Sequence, residues 1–406
     1  MMLACFIVFA VVALWCEYVM WRRVGRKCGC RRARVVCRVS GILVWLAFAG
    51  CIVVMLAGGA DNNVAIRGVG CVFLAFMLNG CAKMIFVLAG WIGRMVGCVK
   101  AMRVVAYLLV VLLTIVIVCG MTFWRDNIRT ERIVFNSERV PENFDGYRIV
   151  LFSDIHTGLL LGRDRLLYRL VDTVNALDAD MVINCGDIVN HDYSELDARV
   201  LEILSGIRAA DGVWSVLGNH DLGIYMRDTL DVSPAENIHC IEAAQRIIGW
   251  HVLKNGSEFV VRGDDTIAVT GVDFPQELIH RSHEKASAGV AVGLAYDCVP
   301  EGMFNITVSH APQMWTAIKD AGRGDLTVSG HVHSLQMKLV LGDWRWSPAA
   351  WLYEEWSGAY RDGRHLLYVN DGIGYAMFPV RIGVRPEVTL IILERDEGDC
   401  IGSGVE

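Results

Sequence analysis

The 406-residue sequence predicts an α/β chain in two parts: a four-helix transmembrane region, then a larger domain in which strands and helices alternate. Three observations carry this. First, charge is divided unevenly. Of 38 Lys/Arg and 44 Asp/Glu, residues 1–123 hold 13 and 2, leaving 25 and 42 for residues 124–406, so the net −6 splits into +11 and −17. Second, four apolar windows, about 1–21, 40–60, 68–92 and 103–123, are each long enough to cross a hydrocarbon core at about 1.5 Å per helical residue. Third, short β-branched runs in the remainder alternate with leucines at helical spacing. With 54% hydrophobic and 20% charged residues, intrinsic disorder is excluded as the main state.

The first window lacks a basic start and a small-residue cleavage site, so it reads as a retained helix and not a signal peptide. Eight basic residues follow it (Arg22, Arg23, Arg26, Lys27, Arg31, Arg32, Arg34 and Arg38), whereas the loop at 61–67 holds only Arg67. By the positive-inside rule the first loop is cytoplasmic. The expectation is a multi-pass protein of the cell (inner) membrane with its larger domain on the extracytoplasmic side; Arg125, Arg129 and Arg132 argue the other way, but eight charges outweigh three. Lys83 interrupts the third window, and no acid stands at comparable depth, so no charge relay is expected. Ten of the 14 cysteines lie in residues 1–119 and no CxxC pair occurs, so they read as small apolar residues. Residues 124–145 read as a linker, 146–395 as the larger domain and 396–406 as a tail.

Within 146–395, five apolar runs end abruptly in polar or Gly residues. Residues 148–153 lead to Asp154 and His156, 181–185 to Gly186 and Asp187, and 213–217 to Gly218, Asn219, His220 and Asp221. Residues 304–309 lead to His310, and 326–329 to Gly330, His331 and His333. Such runs predict buried strands, and ligands of open α/β sheets gather beyond the carboxyl ends of strands. Helices are predicted where Leu166, Leu167, Leu170 and Val174 recur, again through Leu196, Val200 and Leu204, and after Pro312. Asp154 and His156, two apart on extended chain, should point the same way. Imidazoles mixed with carboxylates suit Mn, Fe, Zn or Ni and not Ca.

The ordered blocks D-x-H, G-D, G-N-H-D, an isolated His and G-H-x-H resemble the signature of the calcineurin-like metallophosphoesterase superfamily. The segment from Gly372 through Arg381 to Glu387 resembles the closing segment of its bacterial, membrane-associated branch. The resemblance implies a central β-sandwich flanked by helices and two divalent metal ions. Asp154, His156, Asp187 and His333 would hold one ion, and Asp187, Asn219, His310 and His331 the second, with Asp187 bridging. His220 would stabilise or protonate the leaving oxygen. Members place an Asp three residues after the bridging Asp to orient that His; here Asn190 stands there, which leaves Asp221 or Asp192 as candidates for the task.

The reaction this implies is hydrolysis of a phosphomonoester, phosphodiester or pyrophosphate bond by metal-activated hydroxide. A lipid or envelope metabolite is the substrate class suggested by membrane tethering and by the aromatic segment Trp344, Trp346, Trp351, Tyr353, Trp356 and Tyr360. Arg227 and Asn190 are candidates for substrate contact. The acidic larger domain speaks against a nucleic-acid partner. Two other readings stay open at this point: a non-catalytic membrane receptor or scaffold on the same fold, and a nuclease-like phosphodiesterase.

Overall fold

The computed structural model describes residues 2–27, 31–56, 63–160, 162, 164–226, 232–275, 289–342, 344–376 and 378–396. Arg227 and nearly all of the tail lie outside the described residues. The chain divides into two compact units, Met1–Thr122 with Met377–Val380, and Phe123–Ala376 with Arg381–Glu406.

The first unit is helical: α1 (Met2–Lys27), α2 (Arg31–Leu56), α3 (Asn63–Met95) and α4 (Val99–Cys119), with a π-helical turn at Gly120–Trp124. Three stretches among the described residues are long and apolar enough to cross a membrane, Arg38–Met55, Asn63–Met95 and Val99–Trp124. The expected fourth, at 1–21, is helical in α1 but is not one of them; it carries Glu17, and the side chains at its start lie outside the described residues. Glu17 also corrects the expectation for Lys83. The two form a buried ion pair between α1 and α3, with Glu17 only 2% exposed. A Cβ at Gly41 of α2 would collide with the Glu17 carboxylate, so glycine leaves the acid its space. Two charges that would each be costly in hydrocarbon neutralise one another.

The second unit is built on two six-stranded mixed sheets. The first runs in the order β1 (Arg129–Ser137), β14 (Glu387–Arg395), β2 (Arg148–Phe152), β3 (Met181–Asn184), β4 (Val213–Ser215), β5 (Trp250–Val252). Its β2–β5 are parallel, and β14 is antiparallel to β2. The second runs β12 (Gly358–Asp362), β13 (His365–Val369), β9 (Leu326–Ser329), β8 (Asn305–Ser309), β7 (Asp265–Val272), β6 (Gly256–Arg262), parallel in its middle with antiparallel edges. A separate pair, β10 (Leu339–Leu341) and β11 (Trp344–Trp346), joins neither sheet.

Near-continuous apolar runs suit strands buried on both faces, and β2, β3, β4, β8 and β9 arise where such runs end in polar residues. Ile149, Leu151, Ile183 and Trp214 of the first sheet share one buried cluster with Ile267, Val269, Ile306, Val308 and Val328 of the second. Each such side chain contributes about 1.5–3 kcal/mol on burial. Helices α5 (Asp164–Asn175), α6 (Ala198–Leu204) and α9 (Trp315–Asp320) follow the predicted patterns, and Pro312 opens a 3-10 turn ahead of α9.

The segment expected as a linker, 124–145, contains β1, which lies parallel to β14 over nine residue pairs, Arg129↔Glu387 to Ser137↔Arg395. Its inward Phe135 is fully buried while alternate neighbours are exposed, the period of an edge strand with one covered face.

Candidate metal centre

The five strand ends meet. Asp154 and His156 follow β2, Asp187 follows β3, and Asn219 and His220 follow β4; His310 follows β8, and His331 and His333 follow β9. They do not face the site by strand alternation, as expected for Asp154 and His156. Asp154, His156, Asp187, His331 and His333 all adopt left-handed backbone, with φ of 54, 48, 54, 73 and 50°. Each such non-glycine residue costs about 1–2 kcal/mol, and strain of this kind persists where the surroundings over-determine it, typically at functional sites. The chain therefore turns sharply where β2, β3 and β9 end. At Gly372 (φ +72°) a Cβ would stand 2.9 Å from both Asp154 Cβ and His333 Nδ1, so only glycine closes this side.

The side chains form two adjoining groups. In the first, His333 Nε2 lies 3.1 Å from Asp154 Oδ1 and 3.1 Å from His156 Nε2. In the second, His310 Nε2 lies 3.1 Å from Asp187 Oδ2, and Asn219 Oδ1 lies 3.1 Å from His310 Nε2 and 2.8 Å from His331 Nδ1. Asp187 Oδ2 is also 3.8 Å from His156 Nε2, which sets Asp187 between the groups. Ligand atoms of Asp154, His156 and His333, of Asp187, His310 and His331, and of His156, Asp187 and His220 each lie within 4.8 Å of one another.

Outer contacts orient these donors. His310 Nδ1 donates to the Cys185 carbonyl at 2.7 Å, which turns Nε2 inward. Asn219 Nδ2 donates to the Tyr225 hydroxyl at 3.2 Å, which turns Oδ1 inward. The His331 main-chain N–H donates to the Asp154 carboxylate at 3.1 Å. His220 Nδ1 donates to the main-chain carbonyl of Asn190 at 2.7 Å. Asn190 thus reaches the site through its backbone, a contact to which its side-chain identity is irrelevant. Neither acid considered for that task performs it. Asp221 instead accepts from the N–H groups of Asp187 (2.8 Å), Ile188 (2.9 Å), Val189 (3.1 Å) and Gly218 (2.9 Å), and Asp192 accepts from Ser194 N.

Protonation follows from this packing. Burial and the His220 charge hold His156 well below the ordinary imidazole range. Burial and His310 push His331 down to about 3. Burial opposes ionisation of Asp154 and Asp187, but the surrounding imidazoles outweigh it and hold both carboxyls below their usual range. Burial would lower His310 too; Asp187 and Asp154 reverse that and raise it to about 9. Ionised carboxylates, the neutral imidazoles of His156 and His331, and two imidazole nitrogens facing each other at 3.1 Å give a nitrogen–oxygen donor set that fits divalent transition metals once His310 gives up its proton.

Other residues at the site escaped the sequence reading. Phe274 stands 5.4 Å ring to ring from His331, and Glu195 accepts from the N–H groups of Gly158, Asn190 and His191 at 2.9, 2.5 and 3.0 Å. Neither lies in a motif. The fully buried Arg381 donates to the carbonyls of Asp371 (2.9 Å), Gly372 (3.1 Å) and Gly374 (2.8 Å), and so fixes the turn behind His333. Of the aromatic segment, Trp356 packs into a buried cluster with Tyr353 and Tyr360 against it, while Trp344 and Trp351 are exposed.

Comparison with known proteins agrees with this geometry. Residues 147–335 match the calcineurin-like phosphoesterase family, and the chain carries a calcineurin-like metallophosphoesterase domain. It is 32% identical over 266 residues to a transmembrane protein with metallophosphoesterase domain of Danio rerio, covering 64% of this chain and 55% of that one. It is 27% identical over 271 residues to the uncharacterized metallophosphoesterase YkuE of Bacillus subtilis, covering 66% and 86%. It is 26% identical over 291 residues to the UDP-2,3-diacylglucosamine pyrophosphatase LpxG of Chlamydia muridarum, covering 62% and 86%. The chain therefore spans little more than half the length of the Danio rerio relative.

Proposed function

We propose that the second unit is a dimetal phosphohydrolase, with its two sheets as the layers of a sandwich, held at a membrane by the helices of the first. The observation that carries this reading is the convergence of five imidazoles, three of them buried, with two carboxylates and one amide oxygen from five strand ends. Asp154, His156, Asp187 and His333 would hold one ion and Asp187, Asn219, His310 and His331 the other, with Asp187 placed to serve both. Bound there, the ions supply charge neutralisation and a nucleophile at neutral pH. The chain's own contribution is orientation. Cys185 and Asn190 carbonyls fix the tautomers of His310 and His220, and Asp221 gathers four N–H groups so that the Asp187 loop keeps its shape. His220, whose Nδ1 proton is held by the Asn190 carbonyl, would turn Nε2 toward the pocket and, when a second proton occupies Nε2, would donate it to the leaving oxygen.

The substrate class we infer is a phosphoester or pyrophosphate attached to a lipid or envelope metabolite, supported by the LpxG-named relatives. The basic stretch at 22–38, which spans the end of α1 and the start of α2, supports an extracytoplasmic catalytic unit, with α1 as a fourth span of the inner membrane.

The test uses the full chain purified in detergent, loaded with Mn and assayed on bis-p-nitrophenyl phosphate. Turnover that a chelator abolishes and Mn restores is the expected result. No turnover at two metals per chain would overturn the catalytic reading and leave a binding protein.

A further inference from the structure

The pair β10–β11 stands apart from both sheets, and its two faces differ. Cross-strand partners are Leu339↔Trp346, Val340↔Arg345 and Leu341↔Trp344. Side chains alternate between faces along a strand, so Leu339, Leu341, Trp344 and Trp346 share one face and Val340 and Arg345 the other. Arg345 lies over the rings of Trp356 and Tyr360, at 5.4 and 5.2 Å, and donates to the Ser357 carbonyl at 2.7 Å. Arg345 thus ties that face to the domain at one point, while Val340 beside it is 56% exposed, so the ribbon stands out from the domain on both faces. The opposite face is entirely apolar and mostly open: Leu341 is 73% exposed, Trp344 53% and Leu339 43%, with Trp346 half-buried. Trp351, 62% exposed, extends it through an edge contact with Trp346 at 5.4 Å.

An isolated two-stranded ribbon is marginal in water, and contiguous exposed apolar surface marks an interaction site. Tryptophan beside aliphatic side chains is the composition that settles at a membrane–water interface. Charge is not the attraction: Arg345 is committed to rings and a carbonyl, and Lys338 is buried on Asp371. The ribbon is rooted beside the metal centre, because Ser347 Oγ donates to the carbonyl of Ser334 at 2.6 Å, one residue past His333. Residues 125–128 are all that separates the apolar stretch ending at Trp124 from β1, so the unit that carries the ribbon is tethered to that stretch by a four-residue connection.

We infer that the Leu339–Trp346 ribbon, with Trp351, is a bilayer-docking element whose apolar face enters the lipid interface next to the metal centre. The occupant is the lipid surface itself, bound through apolar and aromatic contact, independent of anionic headgroups. The inference rests on the reading of the first unit as membrane spans.

The full chain is reconstituted into phosphatidylcholine vesicles, with and without phosphatidylglycerol, carrying a dansylalanine at position 341 or, as control, at Ile247, which is 78% exposed at the end of α7 (Pro234–Ile247). The expected result is blue-shifted emission at 341, quenched severalfold more by nitroxide-labelled lipid than at 247, and unchanged by phosphatidylglycerol or high salt. Equal, water-like emission at both positions overturns the inference, and so does quenching that salt or removal of phosphatidylglycerol abolishes. Flotation of the vesicles reports the spans separately: protein that fails to float with lipid overturns the spans and the docking together. Leu341→Asp should abolish docking, read as loss of quenching of a dansylalanine placed at position 344, and leave turnover of bis-p-nitrophenyl phosphate within about twofold. An equal quenching signal in that variant would also overturn the docking. The optical readout needs no turnover, so failure of the catalytic reading is seen independently.

Discussion

The turn at 370–374 separates two buried polar clusters that solve the same problem differently. On one side, Asp371 and Glu387 carry their own cations: Asp371 Oδ2 accepts from Lys338 at 2.9 Å and Arg129 at 3.2 Å, and Glu387 Oε2 accepts from Arg129 at 2.5 Å. Their remaining oxygens take Ser334, Tyr368 and Thr389 hydroxyls at 2.5, 2.7 and 2.8 Å. On the other side, Asp154 and Asp187 face imidazoles, and imidazole nitrogens face one another. A cluster whose charges and donors match internally is closed; one whose acceptors converge on each other is built to take something in. In the helical unit, Lys83 likewise meets its countercharge within the fold, in Glu17.

The largest effect expected from breaking this contrast is at Asp187. Asp187→Asn should abolish chelator-sensitive turnover more completely than any other single change and lower bound metal from two ions per chain toward one by elemental analysis. Full occupancy with retained turnover would remove Asp187 from its place between the groups. His220→Ala should cost about 10²–10⁴ in turnover with metal content unchanged. Loss of metal in that variant would class His220 with the ligands instead.

Asp371→Asn tests the closed cluster. It leaves Lys338 and Arg129 short of a buried anion, a change worth about 3–5 kcal/mol. Denaturant unfolding of the second unit should show the same loss with and without chelator. A loss confined to the metal-loaded protein would mean that the two clusters act as one.

What could be read from the chain beforehand follows from distance and repetition. The residues that cluster at the strand ends were legible because the same event, an apolar run broken by Asp, His or Gly, recurs five times, and each occurrence supports the others. The left-handed backbone at those residues was not, because φ is set by the tertiary surroundings that force it. The strand at 129–137 read as a linker because its partner lies at 387–395, and nothing local announces a parallel neighbour so far along the chain. Glu17 and Lys83, 66 residues apart, were separated by the same blindness. Asn190 shows the converse: the motif departs at a side chain, yet the orienting atom is a carbonyl, which any residue supplies.

The smallest predicted effect discriminates most finely, because it concerns a single proton. His310 keeps its proton up to about pH 9 in the metal-free protein, since Asp187 and Asp154 overcome the burial that would remove it. Its folded value is raised above the ordinary imidazole value, so it stabilises the metal-free fold fully below about pH 6.5, and that contribution fades as pH rises through about 9. Metal binding requires the neutral ring. Affinity at this group should therefore climb by up to tenfold, about 1.4 kcal/mol, per pH unit from about 6.5 and level off above 9. His156 and His331, held neutral by burial, add nothing to the slope in this range. Titration calorimetry with Mn in two buffers of different ionisation enthalpy measures the proton count directly. About one proton should be released near neutral pH and none above 9; an uptake, or no release at either pH, would show that the carboxylates do not hold His310 charged, and the contrast between the two clusters would lose its electrostatic basis.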